Sequence, residues 1–385
     1  MRIIIANDNY YPNINGASYF AQRLAKGLIK AGHEVLVIAP SSCTHDEKFT
    51  LDSVNVFGVR SIPLERMRIA RLWGVQEVIR RVVKEFQPDI IHIQSHFAIS
   101  RKTAAIAREL GIPVLGTNHF MPDNVIHYLP LPKSLVNRTK RIFWYFFLKT
   151  FNNLDTVTSP THAAATCLLS IGLVKPVEVV SNGLDLEIFK ASNDGRYLKS
   201  RYHLPDCPIL LSVGRLDKEK KLDLVIRALE LTISQIPIHL VIAGDGAERD
   251  NLKSLVSRLG LDSAVTFTGF VPDADLPNLY PLGDCFIMAG PFELQSLVTM
   301  EAMASGLPVV AVRALALPEL VRDKENGFLY PDGDIEKLSA ALKKIFSNQA
   351  LRQKMSQKSQ EYIKAHNIQK TIADFLALYN NLLKK

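Results

Sequence analysis

Glu293 and Glu301 stand with seven residues between them in the stretch Ala-Gly-Pro-Phe-Glu-Leu-Gln-Ser-Leu-Val-Thr-Met-Glu-Ala-Met-Ala-Ser-Gly-Leu-Pro-Val-Val-Ala, residues 289–311. This spacing puts two carboxylates around the start of a helix that follows one strand and precedes another. The first N–H groups of a helix have no partner within it, and the dipole makes that end positive, so it attracts phosphate. Carboxylates are poor partners for phosphate and good ones for sugar hydroxyls, as the acidic residue on the ribose of dinucleotide sites illustrates. The segment therefore points to a ligand with both a diphosphate and hydroxyl-rich rings. A second loop, Gly214-Arg215-Leu216-Asp217-Lys218-Glu219-Lys220-Lys221, follows another apolar run. Arg215 offers a planar fork and Lys220 a compact charge, both suited to a diphosphate. Taken alone, such a run fits a solvated loop equally well.

Weaker signals sit at the ends of other apolar runs. Asn13-Ile14-Asn15-Gly16-Ala17-Ser18 opens a helix, and Gly16 lets the backbone approach a ligand. The full GxGxxG of nicotinamide sites is absent. Gly244-Asp245-Gly246 and Phe267-Thr268-Gly269-Phe270-Val271 close two further runs. Backbone near Phe270 and Val271 could hold a flat base, although ordinary turn glycines explain both loops equally well. His119, in Thr117-Asn118-His119-Phe120, could hydrogen-bond a sugar. His92 and His96, in His-Ile-Gln-Ser-His, read more readily as structural.

The elements that must position these residues are strands alternating with helices. Residues 2–6, 34–39, 53–58, 89–93, 113–117, 155–158 and 177–180 read as strands, and the pattern restarts at 208–213, 237–243, 264–268, 284–288 and 308–312. Continuous β-branched runs of this kind fit parallel strands buried on both faces. Helical periodicity covers 17–32, 74–86 and 100–110. Two successive βαβ arrays predict an α/β protein with two Rossmann-like domains, residues 1–186 and 187–365. An amphipathic C-terminal helix, 366–385, follows and is expected to pack on the first domain.

The 385 residues favour two domains over one core. Cys43, Cys167, Cys207 and Cys285 show no metal or redox spacing and read as free, buried thiols in a reducing compartment. No apolar run reaches the length of a membrane span, and the short first run reads as a strand rather than a signal peptide. The net charge of +8 is uneven. Residues 1–186 hold 21 Lys and Arg against 14 Asp and Glu, whereas the remainder holds 25 against 24. The first domain is thus expected to face something anionic. No nucleic-acid module is recognisable, which leaves a membrane surface.

In order along nearly the whole chain, these loops resemble the retaining glycosyltransferases of family GT4 in the GT-B superfamily. The most specific part is the paired-glutamate segment followed by Ala-Met-Ala-Ser-Gly-Leu-Pro-Val-Val. The resemblance implies two facing Rossmann-like domains with a cleft between them, the donor in the second and the acceptor in the first. It casts Glu301 as the reader of the donor ribose and Glu293 as a contact to the donor sugar. The amides of Ser296, Leu297 and Val298 would meet the diphosphate and sugar. Arg215 and Lys220 would neutralise the leaving diphosphate, so that no metal is expected. His119 would lie against the donor sugar, with Gly16, Gly244, Phe270 and Val271 completing the donor site. His119, Arg215, Lys220 and Glu293 are the candidates closest to the chemistry, and no protein nucleophile is assigned. The chain departs from the family at three places. Ser296, Lys221 and the pair Leu315-Ala316 stand where relatives often have glycine.

Two first-domain segments are basic and aromatic. One holds Arg66, Arg68, Arg71 and Trp73. The other, 133–149, holds Arg138, Arg141, Trp144 and Lys149. On a helix Arg138, Arg141, Tyr145 and Lys149 share one face, and Val136, Phe143 and Phe147 another. Such faces suit an anionic membrane, where each charge contributes on the order of 1 kcal/mol. The run from Asn118 to Asn124, with His127 and Tyr128, resembles diacylglycerol glycosyltransferases in particular. The expected enzyme moves a hexose from a nucleotide-diphosphate sugar, UDP-hexose before GDP-mannose, to a membrane lipid hydroxyl. It would work at the inner face of the cell membrane as a cytoplasmic, peripheral protein. The alternative is a soluble relative acting on a sugar, polysaccharide or small metabolite.

Overall fold

Ile3, Ile4 and Ile5 are all fully buried. Successive strand residues point to opposite faces, so this first strand must be covered on both sides. The computed structural model describes residues 1–10, 15–64, 67–70, 74–124, 126 and 132–384. It divides the chain into two compact units, Met1–Gly183 with Ile368–Lys385, and Leu184–Asn367.

The first unit runs β1 (Arg2–Ala6), α1 (Gly16–Lys30), β2 (Glu34–Pro40), β3 (Glu47–Leu51), β4 (Val54–Val59), β5 (Ser61–Leu64), β6 (Met67–Ala70) and α2 (Val75–Phe86). It continues through β7 (Ile90–Ile93), α3 (Ala98–Glu109), β8 (Val114–Thr117), α4 (Lys133–Phe151), β9 (Thr156–Ser159), α5 (His162–Ser170) and β10 (Val177–Val179). Its sheet has the order β10-β9-β8-β7-β1-β2-β4-β3, with β5 and β6 as a separate hairpin. The pairs are parallel except β3 with β4. Ile4 packs with Ile79, Ile99 and Phe147 of α2, α3 and α4, whereas Ile3 and Ile5 pack with Phe20 and Leu24 of α1.

The second unit runs α6 (Arg196–Arg201), β11 (Ile209–Val213), α7 (Leu222–Ile233), β12 (His239–Ala243), α8 (Arg249–Arg258), β13 (Val265–Gly269), α9 (Leu276–Leu279) and β14 (Cys285–Met288). Then come α10 (Leu297–Ala304), β15 (Val309–Val312), α11 (Leu317–Leu320), β16 (Gly327–Tyr330), α12 (Ile335–Phe346) and α13 (Gln349–Ile363). The sheet order is β13-β12-β11-β14-β15-β16, parallel throughout. In each unit the strand order reverses direction beside the first strand, between β1 and β7 and between β11 and β14. Ligands of such sheets bind beyond the carboxyl ends at that reversal.

The last helix, α14 (Ile368–Leu383), belongs to the first unit and lies on the α1 side of its sheet. A Cβ on Gly27 of α1 would come within 2.5 Å of Ile372, so glycine permits the close helix approach. Tyr379 Oη is hydrogen-bonded to His92 Nδ1 at 2.7 Å, and His92 Nε2 to Thr117 Oγ1 at 2.6 Å. Complete burial holds the His92 imidazole well below its ordinary pKa, and therefore neutral. Of the four free cysteines only Cys285 is buried, which corrects the expectation for Cys43, Cys167 and Cys207. Among the described residues no helix is long and apolar enough to cross a membrane.

Candidate functional site

Because β11 and β14 are neighbours, the loops leaving their carboxyl ends meet. Lys220 Nζ donates to Glu293 Oε1 at 2.5 Å across 73 residues of sequence. Both side chains are largely withdrawn from solvent, at 23% and 15% exposure. Lys220 closes a single 3-10 turn, Lys218–Lys220. Arg215 donates to Asp217 Oδ2 and, at 3.0 Å, to Glu219 Oε1. The Asp217 and Glu219 side chains are 0% and 5% exposed, so Arg215 is gripped by two buried carboxylates that fix the plane of its fork. Neither acid belongs to a recognisable motif. The available signal was their spacing of two and four residues after Arg215 in a tight turn.

Backbone lacing holds the neighbouring loops. Gly244 has φ +137°, and a Cβ there would fall 1.9 Å from the Gly214 carbonyl oxygen. Gly214 N donates to Ala243 O and Gly244 N to Gly269 O, each at 2.9 Å. The next two residues differ sharply. Phe270 is 54% exposed and offers a ring face, whereas Val271 is in the core and has only its backbone to give.

Glu301 lies on α10 and is nearly fully buried. It accepts a hydrogen bond from the buried Tyr280 Oη at 2.9 Å, a partner that no sequence motif announced. At the start of α10, Ser296 Oγ accepts from Thr299 Oγ1 at 2.9 Å and makes no side-chain cap bond. No acidic residue lies in that first turn, which leads with Leu297 and Val298. Two positions where relatives often have glycine keep the left-handed backbone without it: Lys221 has φ +49° and Leu315 φ +41°. Side chains are strained there. Lys221 is steadied by both oxygens of Asp332 at 2.6 Å, and the turn after Leu315 is tied to the site by Ala316 N donating to Glu293 O at 3.3 Å.

In the first unit, Gly16 opens α1 behind a reciprocal cap formed by Asn15 and Ser18. His119 follows β8 with its ring 4.7 Å from that of Phe20. Its Nε2–H donates to Gln94 Oε1 at 2.9 Å. Desolvation lowers the His119 pKa to about 3, so the imidazole is neutral and keeps a lone pair on Nδ1.

α4 presents two unlike faces. Arg138, Arg141 and Lys149 are exposed, and with them Leu135, Ile142, Tyr145 and Phe146. Phe147 is fully buried, and Trp144 turns inward against Phe120 and Phe147. The outward apolar residues are therefore Leu135, Ile142 and Phe146 beside Tyr145, not Trp144. Arg68 Nε donates to Ser61 Oγ at 2.7 Å, so its guanidinium is held on the hairpin between β5 and β6. Across that hairpin Ile62 pairs with Ile69, both exposed. Asn13, Ile14, Arg66, Arg71, Trp73, His127 and Tyr128 lie outside the described residues.

Residues 14–188 match the family described as Glycosyltransferase Family 4, and residues 199–362 the family described as Glycosyl transferases group 1. The chain is 27% identical to the alpha-monoglucosyldiacylglycerol synthase of Streptococcus pneumoniae, over 100% of this chain and 88% of that protein. It is 29% identical to a GDP-mannose-dependent alpha-mannosyltransferase of Mycobacterium tuberculosis, over 87% and 85%. Its fold matches the sucrose-phosphate synthase of Thermosynechococcus elongatus with a TM-score of 0.84 at 21% identity, covering 100% of both chains.

Proposed function

From a chain that belongs to glycosyltransferase family 4 and has the GT-B fold, we infer a hexosyltransferase that moves a hexose from a nucleotide-diphosphate sugar to the hydroxyl of a membrane lipid such as diacylglycerol. The observation that carries the donor half is the Lys220–Glu293 pair at the strand reversal of the second sheet, with Arg215 in the same loop as Lys220 and Glu301 on the helix after Glu293. An ammonium has three N–H donors, so Lys220 can keep Glu293 while reaching a phosphate oxygen. Fixed cations aimed at the departing diphosphate lower the barrier, because charge accumulates there in the transition state. In this reading Glu301, held by Tyr280, accepts from the ribose hydroxyls, and the exposed Phe270 ring offers a face for the base. Asp217 and Glu219 position Arg215 and do not touch the ligand. No divalent metal takes part in this reading.

The lipid half rests on the exposed face of α4. Leu135, Ile142, Tyr145 and Phe146 form an apolar stripe among Arg138, Arg141 and Lys149, a pattern suited to the interface of an anionic bilayer. We expect wild-type protein to bind vesicles containing anionic lipid at low salt. Arg138→Ala with Arg141→Ala should weaken that binding by roughly thirtyfold, about 2 kcal/mol for two charges near the surface. Co-sedimentation measures both, and absence of wild-type binding at low salt would remove the peripheral-membrane reading.

The decisive experiment offers labelled UDP- and GDP-hexoses with a total lipid extract and with water-soluble sugars. Label from a UDP-hexose should appear in the lipid fraction. Label confined to soluble products would replace the lipid acceptor by a sugar. Use of GDP-mannose alone would replace the uridine donor; the likeness to the mycobacterial mannosyltransferase keeps it in the panel.

A further inference from the structure

Three side chains in the loops leaving β1 and β7, at the strand reversal of the first sheet, have buried polar atoms without a hydrogen-bond partner among the described residues. They are Asn7 Nδ2, Gln94 Nε2, and both ring nitrogens of His96. The three residues are 1%, 1% and 2% exposed. Asn7 follows β1, and Gln94 and His96 follow β7, its neighbour. Buried polar groups are nearly always paired, so unpaired ones call for a partner that the described residues do not supply. His96 is the extreme case, since neither nitrogen is satisfied. Its ring lies 4.3 Å from that of Phe97, 4.6 Å from Phe120 and 5.5 Å from Phe147. Phe97, the outermost of these, is 39% exposed.

The loop carrying His96 is fixed. Asp8 accepts from Ile99 N at 2.7 Å and Ser100 N at 3.1 Å, and Ser95 Oγ donates to Asp8 at 2.5 Å. The unpaired imidazole is thus a property of an anchored turn. Burial, with Arg101 nearby, lowers its pKa to about 4, so at neutral pH it presents one lone pair and one N–H.

We propose that His96 is a positioning residue for the acceptor: its imidazole takes the acceptor hydroxyl, Asn7 and Gln94 donate to neighbouring oxygens, and Phe97 and Phe120 receive an apolar substituent. The ligand class is an alcohol with adjacent ether, ester or hydroxyl oxygens and a hydrocarbon arm. A free sugar satisfies the polar groups and leaves the rings unused. The identification of the hydrocarbon arm rests on the lipid reading of α4, whereas the hydrogen-bonding role of His96 does not.

The test is His96→Phe, which suits the aromatic surroundings and removes both nitrogens. It should lower kcat/KM for the lipid acceptor at least tenfold and leave the donor KM and acceptor-free donor hydrolysis unchanged. Its melting temperature should stay equal or rise, because a buried unpaired polar group has been removed. A structural histidine would show the reverse, a lower melting temperature with an unchanged acceptor constant, and that result overturns the proposal. His96→Gln, which keeps a donor and an acceptor, should recover part of the activity; recovery no better than with Phe counts against hydrogen bonding. If the wild type glycosylates only soluble sugars, the lipid reading falls. The same variants assayed on that sugar then decide the role of His96: a tenfold loss supports it and an unchanged kcat/KM overturns it.

Discussion

Arg215→Ala should lower kcat by about 100- to 1,000-fold, the loss typical of removing one group that stabilises charge developing in a transition state. Donor KM should move far less, since the diphosphate gains its extra charge only as the sugar departs. The geometry adds a second consequence. Asp217 and Glu219 are buried against Arg215, so alanine strands two carboxylates and should cost stability, on the order of 3 kcal/mol. Arg215→Lys separates the effects. It keeps a cation for the two acids but loses the planar fork, so it should melt near the wild type and still be slow. Single-turnover kinetics with thermal melts on both variants measures this. A lysine variant with near-normal kcat would show that charge alone suffices, and near-normal kcat in the alanine variant would take Arg215 out of the donor site.

Glu301→Ala should raise the donor KM by roughly 10- to 100-fold, the range expected for losing hydrogen bonds to a charged acceptor. Here too a partner is stranded, because Tyr280 Oη is buried and donates to this carboxylate. Glu301→Gln retains an oxygen for Tyr280 and should fold like the wild type while binding donor more weakly. Binding of the free nucleoside diphosphate and of its 2′-deoxy analogue sharpens the assignment. Wild type should prefer the ribose form and the glutamine variant should lose most of that preference. Equal preference in both proteins would move the ribose contact to another residue.

Much of the architecture was legible because its central strands are continuous apolar runs. Ile3 to Ile5, Leu210 to Val213 and Val309 to Val312 need cover on both faces and can belong only to sheet interiors. What escaped lies at edges. β3 reads Glu-Lys-Phe-Thr-Leu, half exposed and antiparallel, and β16 is four residues reached through a charged turn. The β5–β6 hairpin contains a proline and charged residues. Short strands with one wet face leave no run to detect. The candidate site divides in the same way. Arg215, Lys220, Glu293 and Glu301 stood out by type and loop position, and the resemblance gave them roles. Their actual partners did not stand out. Lys220 meets Glu293 because β11 lies beside β14, a fact of sheet order that local spacing does not encode. Tyr280 reaches Glu301 from outside every motif. That His96 lacks a hydrogen-bond partner among the described residues is visible only once its neighbours are in place.

The position of α14 also sets a timetable. Residues up to Gly183 leave the ribosome with the flank around Phe20, Gly27 and His92 still open, because the helix that covers it lies beyond Asn367. At about 5–20 residues per second, translation of the intervening unit takes roughly 10–40 s. Through that interval the nascent sheet carries a bare apolar flank, and His92 waits for the phenol of Tyr379. The second unit, contiguous in sequence, has every strand and helix it needs before α14 emerges. The half of the molecule that is synthesised first is therefore the half that is finished last, and a chaperone that shields the α1 flank would act within that window.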